Sequence, residues 1–339
     1  MRLRSVCSLV FLSVVALAQT KVLQPQQTLN LGVHLSSNEG LFNDSQFDSQ
    51  GNTFATIFDP AEDQPGDRPL LMFDSAGKLK ARIAKSRKPL QLAPNWDAFE
   101  PSFLLRGGEV ARLAWSKNAI FLVKFSADGK LASRMPLAPP AFTPYYFVVF
   151  PTGEILVAGL QRGLPKIFTA IYAADGRLLK RLSFPEDQAI DEAVKLGDAR
   201  YTPAAPISGN RAISAGRLRL GDDGNAYLMR STSPAKVYVI SSSGELLRHL
   251  ELDPPDIGQT PMAMQLSGDR IAMEFWHCSN QCETTELDVF DANTGKKVSG
   301  LSRQGIFGSL SCFTEKPERF TFLTVNDDRK LARITAVAK

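Results

Sequence analysis

The chain has 339 residues, 44% of them hydrophobic and 22% charged, with a formal net charge of +4. Removing residues 1–18 takes away Arg2 and Arg4 and no acid, which leaves 37 basic residues against 35 acidic ones. That near balance supplies no electrostatic ground for nucleic-acid binding. The most apolar later stretch, 145–160, is cut by Pro151-Thr152-Gly153-Glu154 and reads as two strands and a turn, not as a membrane span.

The N-terminus has the form of a secretory signal. Arg2 and Arg4 precede the apolar run Ser5 to Leu17, and Ala16-Leu17-Ala18 offers a small-x-small cleavage site before Gln19. Residues 1–18 are therefore expected to be a signal peptide and 19–339 one secreted or periplasmic domain. Cys7 lies inside the apolar run with no lipobox at the cleavage point, so a lipid anchor is not expected.

After the signal, Thr28 to Leu35 reads as a strand that belongs to no repeat. A repeat then begins. Its mark is an apolar strand end, small polar residues, a glycine and a second apolar strand, which spells a β-hairpin. The first copy, Phe73-Asp74-Ser75-Ala76-Gly77-Lys78-Leu79, returns as Phe125 to Leu131, Tyr172 to Leu178, Ile240 to Leu246 and Phe290 to Lys296. Each copy follows a partner turn: Ser49 to Asn52, Arg106 to Glu109, Pro151 to Glu154, Asp222 to Asn225 and Ser267 to Arg270. Two hairpins per repeat make a four-stranded antiparallel meander. The repeats occupy 42–84, 99–137, 143–183, 211–252, 261–302 and 308–339. The fourth is the best formed, and a short helix around Glu186 to Leu196 is the one helical expectation. The sixth runs out of chain after three strands, and 28–35 is the natural supplier of its fourth. The predicted fold is all-β: a six-bladed β-propeller of four-stranded blades, closed by the N-terminal strand.

Gly224-Asn225-Ala226-Tyr227-Leu228 and Phe73-Asp74-Ser75-Ala76-Gly77-Lys78 carry a family likeness. With them the chain resembles the six-bladed propellers of the NHL and TolB-like kind over nearly its whole mature length. Where NHL repeats carry Asn-His-Arg, this chain has Ser233-Pro234-Ala235-Lys236.

In such a ring the loops between second and third strands share a face with the connections between blades, and binding concentrates there. Trp96, in the connection 88–99, and Trp115 and Trp276, at the ends of second strands, map to this face. Arg162, Arg230 and His277 fall near them. The insertion 185–211 emerges on the same side. Aromatic rings with a few charges at the mouth of a rigid ring suit a protein, peptide, glycan or small-molecule ligand. The functional expectation is a monomeric binding or interaction module with its site at Trp96, Trp115, Arg162, Arg230, Trp276 and His277. Covering the flank of its own blade is the alternative role for each tryptophan.

The second function class is a lactonase-like lyase or hydrolase at the channel mouth, with or without a metal. Asp44 and Glu100 are its acid candidates, and each also reads as a solvated loop carboxylate. No catalytic set can be named, and no cofactor or metal is expected. In an oxidising compartment Cys278 and Cys282 are expected to form a disulfide, with Cys312 left over or acting as an alternative partner. A metal site at His277, Cys278 and Cys282 lacks a second ligand pair at zinc-site spacing.

Overall fold

A computed structural model describes the protein at residues 21–34, 41–48, 50–57, 69–83, 96–116, 119–140, 142–161, 164, 166–188, 190–191, 216–232, 234–256, 259–278, 282–303 and 305–339. The predicted signal peptide, the connection 88–95 and most of the 185–211 insertion lie outside these residues. So does most of the predicted helix, although the backbone is helical at 187–188 and 190–191.

Twenty-four strands are described. The N-terminal strand is β1 (Lys21–His34). One sheet holds β2 (Leu41–Phe47), β3 (Thr53–Ile57), β4 (Leu70–Phe73) and β5 (Leu79–Ile83). The next holds β6 (Trp96–Leu104), β7 (Val110–Ser116), β8 (Ala119–Phe125) and β9 (Leu131–Leu137). A third has β10 (Phe142–Val149), β11 (Ile155–Gln161), β12 (Ile167–Tyr172) and β13 (Leu178–Leu182). A fourth has β14 (Arg217–Leu220), β15 (Ala226–Arg230), β16 (Ala235–Ile240) and β17 (Leu246–Leu252). The remaining strands are β18 (Gln259–Ser267), β19 (Arg270–Cys278), β20 (Cys282–Asp291), β21 (Lys297–Ser302), β22 (Ser309–Thr314), β23 (Arg319–Val325) and β24 (Lys330–Ala338). They join β1 in one eight-stranded sheet, ordered β18-β19-β20-β21-β1-β24-β23-β22.

The architecture is an all-β propeller. The first strands β2, β6, β10, β14, β18 and β22 contact one another in sequence, and β22 contacts β2, so they close a ring. The eight-stranded sheet folds over on itself. Leu287, Val289 and Leu301 of one half pack against Leu310, Phe320 and Phe322 of the other. Its halves are joined at the middle by β1, which pairs antiparallel with β24 along most of its length and parallel with β21 only at Lys21 and Val22. The closing strand is thus longer than the 28–35 expected from sequence, because it also bridges to the neighbouring half.

Burial explains the strand chemistry. Second and third strands are covered on both faces by adjacent sheets, so β11 is buried at six of its seven residues and β15 at all five. They read as unbroken apolar runs. Outer strands are sheet edges with the most exposure to water, and β13 is exposed at its three central residues. Their alternating lysines and arginines keep that edge from pairing with another chain.

Four of the five recurring turns share one geometry, and the fifth, at Asp291 to Lys296, is one residue longer. Asp74 N donates to Lys78 O and Gly77 N to Asp74 O, both at 2.9 Å, and the same pair of bonds recurs at Ser126, Ala173 and Ser241. Gly77, Gly129, Gly176, Gly244 and Gly295 all have φ between 72° and 85°, the left-handed region that glycine alone enters freely. Each also rests on the outer part of the sheet before it, four on the outer strand itself and Gly244 chiefly on the third strand. A Cβ at Gly77 would meet the Leu29 side chain at 2.8 Å, one at Gly129 would meet Ala81 at 3.1 Å, and one at Gly176 would meet Pro136 O at 2.1 Å. At Gly244 the neighbour is Ile171 (3.0 Å) and at Gly295 it is Glu251 O (3.3 Å).

Replacing Gly176 by Ala is therefore expected to cost more than replacing Gly224. Gly224 is also left-handed, but has no atom within 4 Å of a built Cβ. The backbone strain alone costs about 1–2 kcal/mol, and the collision at Gly176 adds about 1–3 kcal/mol. Urea unfolding of the two variants checks this; equal losses would mean that the turn does not bear on its neighbour.

Candidate functional site

Second strands end, and first strands begin, on one side of the ring. Trp115 lies in β7 opposite Asp97 of β6, and Trp96 opposite Ser116, so the two tryptophans occupy adjacent register positions. Trp96 is the first residue of β6 and does not lie in the connection before it. Trp276 and His277 lie near the end of β19, opposite Thr260 and Gln259 of β18. Arg230 ends β15. Arg162 lies outside the described residues, as do the side chains of Trp96, Trp115, His277, Asp44 and Glu100. Cys278 and Cys282 face each other across the β19–β20 hairpin, with side chains likewise outside the description. Cys312 is a half-buried free thiol, its pKa pushed up to about 11 chiefly by burial.

Arg230 is completely buried. Its Nη2 donates to Asp187 Oδ1 at 2.9 Å and to Thr169 Oγ1 at 3.2 Å, and the guanidinium lies 5.1 Å from the Phe184 ring centre. Asp187 stands at the start of the short helix after β13, which carries it from the third sheet to the fourth. Its carboxyl accepts from Phe184 N at 2.9 Å. Next to it, Glu186 accepts from Tyr238 Oη at 2.7 Å. Asp191 accepts from Ile167 N at 2.6 Å. Burial raises the Asp187 carboxyl above its ordinary value of 3.8, with Arg230 pulling the other way. Burial likewise lowers Arg230 and raises Asp191 and the Tyr238 phenol.

A second buried ion pair lies in the eight-stranded sheet. Glu274, central in β19, pairs with Arg303 just beyond β21, and both are almost wholly buried. The same Glu274 oxygen accepts from Trp276 Nε1 at 3.1 Å, while the other accepts from Leu310 N at 3.0 Å. Arg303 also donates to the carbonyls of Ile306 and Gly308 and lies 4.4 Å from the Phe322 ring centre. The half-buried indole of Trp276 is thereby held in one orientation at the loop side of the ring.

Glu274, Arg303, Glu186 and Asp187 were not picked out by sequence reasoning. Glu274 left one signal, a carboxylate inside the apolar run Ala272-Met273-Glu274-Phe275-Trp276. On the opposite side of the ring, where the tight turns lie, a cavity of about 770 Å³ opens between the first two sheets. Phe47, Gln50, Asn52, Asp74, Lys80 and Asp222 are among its lining residues.

Fold and strand ends together define the class, an all-β propeller with buried ionic clamps at its loop side. No protein-family model matches the sequence, and no curated protein is similar to it. Solved structures are similar in fold. A protein of unknown function from Bacteroides caccae aligns with a TM-score of 0.50 at 12% identity, over 85% of this chain and 98% of that one. BamB from Moraxella catarrhalis aligns with a TM-score of 0.43 at 11% identity, over 93% of this chain and 100% of that one. The PQQ-bound aldose sugar dehydrogenase of Streptomyces coelicolor gives 0.48 at 11%, over 94% and 99%. At these identities the likeness is one of fold.

Removing Arg230 strands a buried carboxylate. Arg230→Met is expected to destabilise the protein by about 3–5 kcal/mol at neutral pH. The loss should shrink toward acid pH. Asp187, without Arg230, has a folded-state pKa raised further above its unfolded value, so its contribution is favourable below about pH 4 and is lost as pH rises through the folded value. Thermal unfolding of both proteins between pH 4 and pH 8 checks this; a deficit independent of pH would uncouple Arg230 from Asp187.

Proposed function

We propose that the protein is a six-bladed propeller that binds a ligand or partner at its loop-bearing side, after export to the periplasm or beyond. The ring of six first strands and the face-to-face packing of the two halves of the eight-stranded sheet support counting that sheet as two blades. The turn chemistry supports placing it among propellers of the NHL and TolB-like kind. On this reading β1 is the fourth strand of the last blade, and its short pairing with β21 stands where a recurring turn would otherwise rest on the preceding outer strand.

The observation that carries the binding reading is Trp276. A half-buried indole at the loop side, fixed through its N–H by a carboxylate that is itself ion-paired, is a pre-organised contact surface that costs little entropy to use. Trp96, Trp115 and His277 belong to the same side by their strand positions, and Arg162, outside the described residues, follows β11 in sequence. Arg230, wholly buried, supports the surface from below.

The test is a calorimetric screen of peptides and soluble glycans against the mature chain, followed by Trp276→Ala, Trp96→Ala and Trp115→Ala. A ligand of this side is expected to lose at least about tenfold in affinity with Trp276→Ala, a loss typical of a central aromatic contact. Affinity unchanged in all three variants but lost in Lys80→Ala and Asp74→Ala would reject the loop side in favour of the cavity on the turn side.

A further inference from the structure

Of the four arginines buried among the described residues, Arg217, Arg230 and Arg303 lie toward the loop side, and two of these three meet a carboxylate. Arg230 pairs with Asp187 and Arg303 with Glu274. Arg217 does not. It is the first residue of β14, opposite Met229 of β15, and only 2% of it is exposed. Among the described residues no acceptor meets its Nε or Nη1, and no carboxylate lies within ion-pair distance. Its one contact partner of note is a ring, with the guanidinium 5.5 Å from the centre of Tyr146 on β10.

An uncompensated buried guanidinium is costly, and a cation–π contact returns only part of what an ion pair would. One neighbour adds to the positive field, and the backbone fixes where the strand starts. A Cβ on Gly216, the residue before Arg217, would lie 3.2 Å from Arg230 Nη1, so a second guanidinium crowds the start of the same strand. Gly216 itself is held at φ 89°, with Met229 O only 2.4 Å from that Cβ position, and this fixes the strand's point of departure. Asp187 answers Arg230, and the neighbouring Glu186 is engaged through Oε2 by Tyr238 and by Lys236 at 3.9 Å, its buried Oε1 meeting no hydrogen-bond donor among the described residues.

We infer that Arg217 anchors an oxyanion-binding subsite at the inner, loop-side rim of the ring, where it takes the carboxylate or phosphate group of a ligand. A guanidinium presents two parallel N–H donors to such a group, and a site already shielded from water strengthens each bond. The inference takes its location from the loop-side reading and adds the chemistry of the ligand.

The experiment is thermal unfolding of the mature chain in sodium chloride, sodium phosphate and sodium succinate at equal ionic strength. It uses the wild type, Arg217→Met, Arg217→Gln and Trp276→Ala. Phosphate or succinate is expected to raise the wild-type midpoint by about 2–3 °C over chloride at ten times the dissociation constant. The larger shift tells a phosphoryl ligand from a carboxylate one. Both Arg217 variants should lose the shift. In chloride Arg217→Met should melt at or above the wild type, since it removes a buried charge with no ion-pair partner among the described residues. No shift with either anion, a shift that survives both Arg217 variants, or an Arg217→Met midpoint well below wild type in chloride would each overturn the inference. Trp276→Ala separates the two ideas. An anion shift that persists there, with ligand affinity unaffected by any tryptophan, keeps the subsite and rejects the aromatic surface; lost ligand affinity with no anion shift in the wild type does the reverse.

Discussion

The ring depends on a glycine that has no side chain to get in the way. At Gly77, Gly129, Gly176, Gly244 and Gly295 the turn between third and fourth strands is pressed against the preceding sheet, at its outer strand or, for Gly244, its third strand, at separations no other residue would permit without a shift. The same glycine takes the left-handed backbone that closes its own hairpin. One residue therefore satisfies a local and a long-range requirement together, and a sheet that forms its outer hairpin correctly is at once shaped to dock on its neighbour. Five such seats link successive sheets. The sixth place falls where the chain ends meet, and there Lys21 and Val22 pair directly with Leu301 and Ser302. The eight-stranded sheet is the consequence: a bridge of two residues replaces a turn.

Polar stitching reinforces the apolar contacts at the same junctions. Lys180 Nζ donates to Gly244 O, Arg248 Nε to Ala292 O, and Arg333 reaches across to the carbonyls of Gly51 and Ser75. These long side chains lie on outer or third strands, with their stems on apolar surface and their heads on the next turn. At the inner strands the same task falls to glutamines. Gln46 bonds Ser102 O and Leu104 N, and Gln265 bonds Leu310 O. The basic residues that follow each recurring turn are thus partly fasteners between sheets, in addition to guarding an edge.

Legibility followed the range of the interactions. The hairpins were readable because their requirement is local: a glycine with φ near 80°, four or five positions after an apolar strand end, is written in consecutive residues. The strands of the fourth sheet and the closing partner of β24 followed from that spacing. The extension of β1 back to Lys21 was not readable, since Lys21-Val22-Leu23-Gln24-Pro25 has no strand alternation and is held in place by Lys339, Ala338 and Leu301, all more than 270 positions away. The clamps were hidden for the same reason. Asp187 and Arg230 are 43 positions apart, Glu274 and Arg303 are 29, and nothing in either neighbourhood marks its partner. Trp276 was visible as an aromatic at a strand end, whereas the carboxylate that orients it was visible only as an anomaly within an apolar run.

The two sides of the ring consequently differ in what they can become. On the turn side, backbone positions are dictated by glycines seated on neighbouring strands, and a change there disturbs two sheets together. On the loop side the connections are longer, and the sheets are tied instead by side-chain pairs placed beneath the surface. The Glu274–Arg303 clamp ties strand ends together and also holds the connection between β21 and β22, through the Ile306 and Gly308 carbonyls. Buried charge is an expensive way to tie strands together, and it is tolerable where each guanidinium meets its carboxylate. Arg217, which meets no such carboxylate among the described residues, begins β14 on this side as well.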